Sequence, residues 1–209
     1  MGFRVLRVLN DDRIAPGKGF GPHAHRDMEI ITYAVEGGLR HRDSLGTIHV
    51  IRPNEIQTMS AGTGVVHSEF NASEAEPARI IQIWIDPLRE DLTPSCQQFH
   101  IDPAEKRERW RILAAPAGHT GDPAAIIHQD ARIYAAELPA GTAIQREIAP
   151  DRYAWLQVVR GKVTLNSLAL KEGDGAAVSN ESEIVVASPT DSPGEVRSEE
   201  HTSELQSLA

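Results

Sequence analysis

"GPHAHRDMEIITY", Gly21 to Tyr33, places two histidines one residue apart at the mouth of an apolar, β-branched run, with Glu29 four positions after the second. In an extended chain, side chains two residues apart project to the same side and lie about 7 Å apart, so His23 and His25 can converge on one ion. Glu29 keeps the same parity. Two histidines do not fill a coordination shell, and exposed histidines are common in loops. "MSAGTGVVHSEFN", Met59 to Asn71, supplies a second element: after a glycine-rich turn, His67 and Glu69 again stand two residues apart. If the two strands are neighbours in one barrel, His23, His25, His67 and Glu69 face its interior as three neutral imidazoles and one carboxylate. Such a set suits a divalent first-row metal and leaves an octahedral ion about two open positions for water or substrate.

The rest of the chain fits a barrel. "EIITYAV", "TIHVI", "RIIQIWID", "YAWLQVV", "KVTLN" and "EIVVAS" are short β-rich runs ended by turn residues. Long helical periodicity is absent, which predicts a mainly-β sandwich or barrel. One brief helix is expected around "DPAEKRERW", with Asp102 as N-cap and Pro103 at the first helical position. Laying "ITYAVEGGLRHRDS" (Ile31 to Ser44) against "AWLQVVRGKVTLNS" (Ala154 to Ser167), with Gly38 on Gly161, suggests two copies of one β-unit. In that alignment His23 and His25 fall on Arg146 and Ile148, and "AAVSNESEIVV" has no histidine at the position of His67. The second copy is therefore expected to be metal-free.

Composition narrows the function classes. The 209 residues are enough for one large domain or two small ones. A net charge of −9 disfavours attraction to nucleic acid or to anionic membrane. No apolar stretch reaches the roughly 18 residues that cross a bilayer, and no signal-peptide core is seen, so the expected address is cytoplasmic. Cys96 is the single cysteine, which excludes an intramolecular disulfide and a thiolate-rich cluster and leaves imidazole and carboxylate as expected ligands. His49, His100, His119 and His128 lack a partner at ligand spacing and read as ordinary surface or hydrogen-bonded histidines.

Gly17-(five residues)-His23-x-His25-(three)-Glu29-(seven)-Gly37 resembles the first cupin motif, and Gly64-(two)-His67-(three)-Asn71 resembles the end of the second, with Gly62 where the motif has proline. "HAHRDMEIITY", "HRDS" and "MSAGTGVVHSEFN" together resemble the pirin family, including its bacterial quercetin 2,3-dioxygenases. The resemblance implies an all-β bicupin, two cupin double-stranded β-helix (jelly-roll) barrels, with one metal in the first. It places the ligands on His23, His25, His67 and Glu69, with Glu29 and His41 beside the metal; Glu69, or failing that Glu29, is the expected catalytic base. Fe(II) is the expected ion, with Mn, Co, Ni, Cu or Zn as alternatives. The implied activity is oxidative ring opening of a flavonol such as quercetin with O₂. The alternative is a non-enzymatic, metal-dependent regulator that binds a transcription factor or a metabolic enzyme.

The expected organisation is a metal-binding cupin over residues 1–112, a linker over 113–126, a metal-free cupin over 127–196 and a disordered tail over 197–209. Both ends read as incomplete. Pirins begin further upstream with an aromatic-rich segment, and "RSEEHTSELQS" after "GEV" resembles the translation of a sequencing-library adapter.

Overall fold

The computed structural model describes residues 2–202. The chain divides into two compact units. The first comprises the residues through Ile101 with Pro116–Gly118 and Ala125–Gln129; the second comprises Asp102–Ala115, His119–Ala124 and the chain from Asp130 onward. Nine strands build the first part of the chain: β1 (Leu6–Ile14), β2 (Gly19–His25), β3 (Glu29–Glu36), β4 (Leu39–Asp43), β5 (Ile48–Ile51), β6 (Glu55–Ser60), β7 (Val65–Asn71), β8 (Ala78–Ile85) and β9 (Ser95–His100). After a 3₁₀ turn (Pro103–Lys106) come β10 (Arg111–Pro116), β11 (Ala125–Ile127), β12 (Ala131–Leu138), β13 (Ala143–Glu147) and β14 (Arg152–Leu165). β15 (Leu168–Lys171), β16 (Gly175–Val178), β17 (Glu183–Ala187) and β18 (Gly194–Thr202) complete the described chain.

In the first unit a five-stranded sheet, β1-β8-β3-β6-β9, faces a four-stranded sheet, β2-β7-β4-β5. Ile14, Ala34 and Ile80 of one sheet pack with Leu39 and Ile51 of the other, which closes one end of the sandwich with aliphatic side chains. Ile30, Met59 and Val65 form a second apolar cluster, against which Trp84 and Cys96 pack. Strand β7 alternates as its sequence requires: Val65, His67, Glu69 and Asn71 are buried, while Val66 and Phe70 are exposed. The metal-ligating residue types thus occupy the inward parity of an otherwise ordinary amphipathic strand.

The second unit orders its strands β10-β12-β18-β14-β17-β13, with β15 and β16 also paired to β14. Leu138, Leu156, Val158, Ile184 and Val196 are among its core residues. The two units are cupin copies, and their registers show it. Ala34 faces Ile80 and Glu36 faces Arg79 across a bulge; Val158 faces Val196 and Arg160 faces Glu195 across the same kind of bulge. The true counterpart of Gly161 is therefore Gly37, one residue from the expected Gly38. Both adopt left-handed backbone, with φ of +69° and +72°.

Three other expectations change. Residues 113–126 are not a simple linker: Leu113, Ala114 and Ala115 are fully buried in β10, and Ala125 begins β11. The helix shrinks to one 3₁₀ turn, capped as expected by Asp102 accepting from the Ala104 amide, because Arg107 is extended and Glu108 is left-handed. The tail is not disordered throughout: Arg197–Thr202 continue β18, hydrogen-bonded to β12 on one side and β14 on the other. Main-chain pairing on both edges tolerates polar side chains. Arg197 is buried with its Nη2 donating to Glu195 Oε1 at 2.8 Å. Residues 203–209 lie outside the described residues. Among the described residues no helix is long and apolar enough to cross a membrane.

A Cβ on Gly161 would lie 2.0 Å from the Pro193 carbonyl oxygen. Gly161→Ala should therefore lower unfolding stability by at least about 1–3 kcal/mol, the usual cost of left-handed strain alone. Gly21→Ala, with no atom within 4 Å of its Cβ, should stay within about 0.5 kcal/mol of the parent. Urea unfolding measures both; equal stability of the two variants would contradict the bulged turn.

Candidate metal centre

Strand register assembles the site. His23 on β2 stands directly opposite His67 on β7, and on the other side of β7 His41 faces Glu69 while Asp43 faces His67. Directly opposed residues of an antiparallel pair project to the same face. One face of β2-β7-β4 therefore presents His23, His25, His67, Glu69, His41 and Asp43.

The ligating atoms of His23, His25 and His67 all lie within 4.8 Å of one another, and so do those of His41, His67 and Glu69. The three rings of the first group are mutually adjacent, with centroids 4.4 to 4.9 Å apart. His67 and Glu69 are buried, while His23 and His25 are half-buried. Among the described residues no hydrogen bond reaches either ring nitrogen of His67 or Nε2 of His25. Buried imidazole nitrogens aimed at one another without a shared proton fit a cation between them. His23 Nδ1 lies 2.8 Å from the Gly21 carbonyl oxygen, a contact in which it donates and leaves Nε2 free to ligate.

Electrostatics keep the donors in their binding form. Burial, followed by the neighbouring His23, His25 and His41, pushes His67 down to about 3. Burial and then His23 lower His25. Both imidazoles are neutral at physiological pH, as a metal requires. Burial raises Glu69, and a hydrogen bond from Gln82 works against that rise.

Gln82, on β8 of the opposite sheet, is a residue that motif reading misses. Its Nε2 donates to Glu69 Oε1 at 3.1 Å and Oε2 at 3.0 Å, and contacts Thr32 Oγ1 at 3.2 Å. Trp84 Nε1 donates to Gln82 Oε1 at 3.0 Å, which fixes the amide so that its N–H groups face the carboxylate. The Trp84 ring also meets His25 edge-on at 4.8 Å. The available signal was the single glutamine in the apolar run "RIIQIWI".

The structure treats the two residues expected beside the metal differently. His41 is fully buried, its ring 5.3 Å from that of His67, and its Nε2 donates to Asp43 Oδ2 at 2.9 Å. Burial lowers His41 and outweighs the opposing pull of Asp43. Burial would raise Asp43, but hydrogen bonds from His41 and Thr47 together hold its carboxyl below the usual range. Glu29 instead accepts from Ser60 Oγ at 2.7 Å and from the His128 backbone amide at 3.2 Å, with His128 Nδ1 3.3 Å away. His128, read as an ordinary histidine, is thus a structural partner of Glu29.

In the second unit Thr164 faces Ala187 as Arg40 faces Phe70, and Arg146 faces Ile184 as His23 faces His67. By this register Arg146, Ile148, Ile184 and Val186 stand where the first unit has His23, His25, His67 and Glu69. The three aliphatics belong to the core of that unit. Arg146 turns to Tyr134, its guanidinium 3.8 Å from the ring centroid.

A pair of cupin units, the first with three adjacent imidazoles and a buried carboxylate on one face, defines a bicupin with a candidate metal centre in its N-terminal unit. The chain belongs to the pirin family: residues 1–85 match pirin, and residues 112–194 match the quercetinase C-terminal cupin domain. It is 40% identical to the quercetin 2,3-dioxygenase of Escherichia coli (strain K12) over 192 residues, 92% of this chain and 81% of that protein. It resembles the crystal structure of YhhW from Escherichia coli with a TM-score of 0.90 at 39% identity, covering 96% of this chain and 83% of that one. The bacterial pirin YhhW in complex with nickel(II) gives a TM-score of 0.87 at 38% identity, covering 97% and 84%.

Outer residues that orient a metal ligand are typically worth about 10–100-fold in metal affinity. Gln82→Leu is expected to weaken divalent metal binding by that factor, measured by competition with a chelator, because Glu69 loses both hydrogen bonds. Unchanged affinity would mean that Gln82 does not position Glu69.

Proposed function

We propose that this chain is a metal-dependent dioxygenase that opens the ring of a flavonol such as quercetin with O₂ and releases carbon monoxide. The observation that carries this reading is the placement of His23, His25, His67 and Glu69 on a single face of β2-β7-β4, with the three imidazoles within 4.8 Å of one another and buried nitrogens of His25 and His67 that make no hydrogen bond among the described residues. His23, His25, His67 and Glu69 would hold the ion. An all-nitrogen-and-oxygen set with one negative charge suits Fe(II), and equally admits Mn, Co, Ni, Cu or Zn. When bound, the ion acidifies a coordinated substrate hydroxyl and holds it close to O₂.

The chain's own residues do the rest. His23, His25, His67 and Glu69 would hold the ion, and a six-coordinate ion so held would have about two positions left for the flavonol 3-hydroxyl and 4-carbonyl oxygens. Glu69 would take the 3-hydroxyl proton on one carboxylate oxygen, while Gln82 Nε2 goes on donating to the other. Trp84, held by Gln82 and packed on His25, supplies an apolar wall beside the ligands. The quercetin 2,3-dioxygenase name of the 40% identical relative supports the substrate class.

After anaerobic Fe(II) loading, the chain should consume quercetin and O₂ in air. His23→Ala, His25→Ala or His67→Ala should each abolish turnover and stoichiometric uptake at this site, while His100→Ala, at an exposed position on β9, should retain both. Failure of the folded, metal-filled chain to turn over quercetin would instead favour the regulatory, protein-binding reading.

A further inference from the structure

Next to the first group of donors, on the β4 and β5 side of the same face, lies a second cluster, whose member His41 also has a ligating atom within 4.8 Å of those of His67 and Glu69. His41 and Asp43 on β4 contribute two donors, and His49 on β5 stands directly opposite His41 in register. Cys96 comes from β9 in the facing sheet. The ligating atoms of His41, Asp43 and Cys96 all lie within 4.8 Å of one another. His49 Nε2 is 4.0 Å from Cys96 Sγ, and its ring stacks on His41 with centroids 6.0 Å apart. We propose that His41, Asp43, His49 and Cys96 form a second, adjoining site for a borderline-soft divalent ion of the zinc class.

Geometry, charge and access support it. Zinc bonds of about 2.0–2.3 Å to nitrogen, oxygen and sulfur put tetrahedral donors roughly 3.3–3.8 Å apart. The 4.0 Å pair must contract slightly, the 2.9 Å His41–Asp43 pair must open by a similar amount, and His49, outside the 4.8 Å group of the other three, must swing in toward them. A thiolate and a carboxylate balance a dication, so the filled site is neutral and its burial is cheap compared with that of an unpaired charge. The first donor set has a single carboxylate and leaves its dication with one net positive charge. A neutral neighbour is therefore the form of second site that this barrel tolerates. Asp43 and Cys96 both sit against histidines; burial and then Asp43 push the Cys96 thiol up to about 12, so it ionises only as an ion arrives, and the half-buried His49 and Cys96 give that ion a way in past the fully buried His41 and Asp43.

Binding exchanges protons in a defined way. The Cys96 thiol proton leaves to solvent as the sulfur–metal bond forms. His41 stays neutral, its N–H moving from Nε2 to Nδ1, a nitrogen that makes no hydrogen bond among the described residues. One proton leaves for each ion bound. The mixed donor set with one thiolate departs from the expectation of imidazole and carboxylate alone. It does not depend on the flavonol reading.

The test uses the full chain titrated with Co(II) and, separately, Zn(II), with bound metal counted by elemental analysis. The parent should bind two ions per chain and show a thiolate-to-cobalt charge-transfer band. Cys96→Ser and His49→Ala should each bind one ion and lose the band, with circular dichroism confirming the fold. His23→Ala should also bind one ion but keep the band, so loss of the first site and loss of the second are told apart. A parent that saturates at one ion, a parent without the band, or a band that survives Cys96→Ser would overturn the proposal.

Discussion

The site depends on one constraint, the antiparallel register that sets His23 against His67 and Glu69 against His41. Because side chains alternate with a period of two, a slip of one residue in β7 would turn His67 and Glu69 to the outside and bring Val66 and Phe70 in. Several local features forbid the slip. Gly19 lets β2 lie so close to β7 that a Cβ there would fall 2.2 Å from the Glu69 carbonyl oxygen. At the end of β7, Asn71 Nδ2 donates to the carbonyls of Ile14 and Glu76, and its Oδ1 accepts from the Ser73 amide. Across the sheet, Asp43 Oδ1 accepts from the amides of Leu45 and Thr47 and fixes the turn that follows β4. The aliphatic clusters that span both sheets then hold the register from outside the site.

Burial supplies the chemistry. An imidazole in water is half protonated near neutral pH, which would repel a cation. Burial first, and then the three imidazoles around it, pushes the pKa of His67 down to about 3 and reserves its lone pair. Glu69 faces the opposite problem, since burial favours its neutral form. Gln82 reaches over from the other sheet to stabilise the carboxylate, and an unmet buried group of this kind would cost about 1–3 kcal/mol or more. The sandwich is therefore needed twice: one sheet aligns the candidate ligands, and the other satisfies the carboxylate. The second copy of the fold needs neither, and Ile148, Ile184 and Val186 close its interior as ordinary core.

The four candidate ligands were legible because each pair lies within one strand, where parity can be read from spacing alone. The β-rich class was legible for the same local reason. Gln82, Asp43, His49 and Cys96 were not, because what matters about them is which strands become neighbours, and Gln82 and Cys96 approach from the opposite sheet. Glu29 kept the right parity but belongs to the edge of β3 where His128 arrives, so parity alone misplaces its partners. The polar run Arg197–Thr202 was read as disordered because strand patterns are judged from side chains. Its order comes from main-chain bonds to β12 and β14, strands distant in sequence.

X-ray absorption spectroscopy at the metal edge, on the chain loaded with one equivalent of Fe(II), tests the central claim most directly. The account predicts a nitrogen and oxygen first shell with multiple scattering from three imidazole rings. Scattering from fewer than three rings would contradict the assignment of His23, His25 and His67 to one ion.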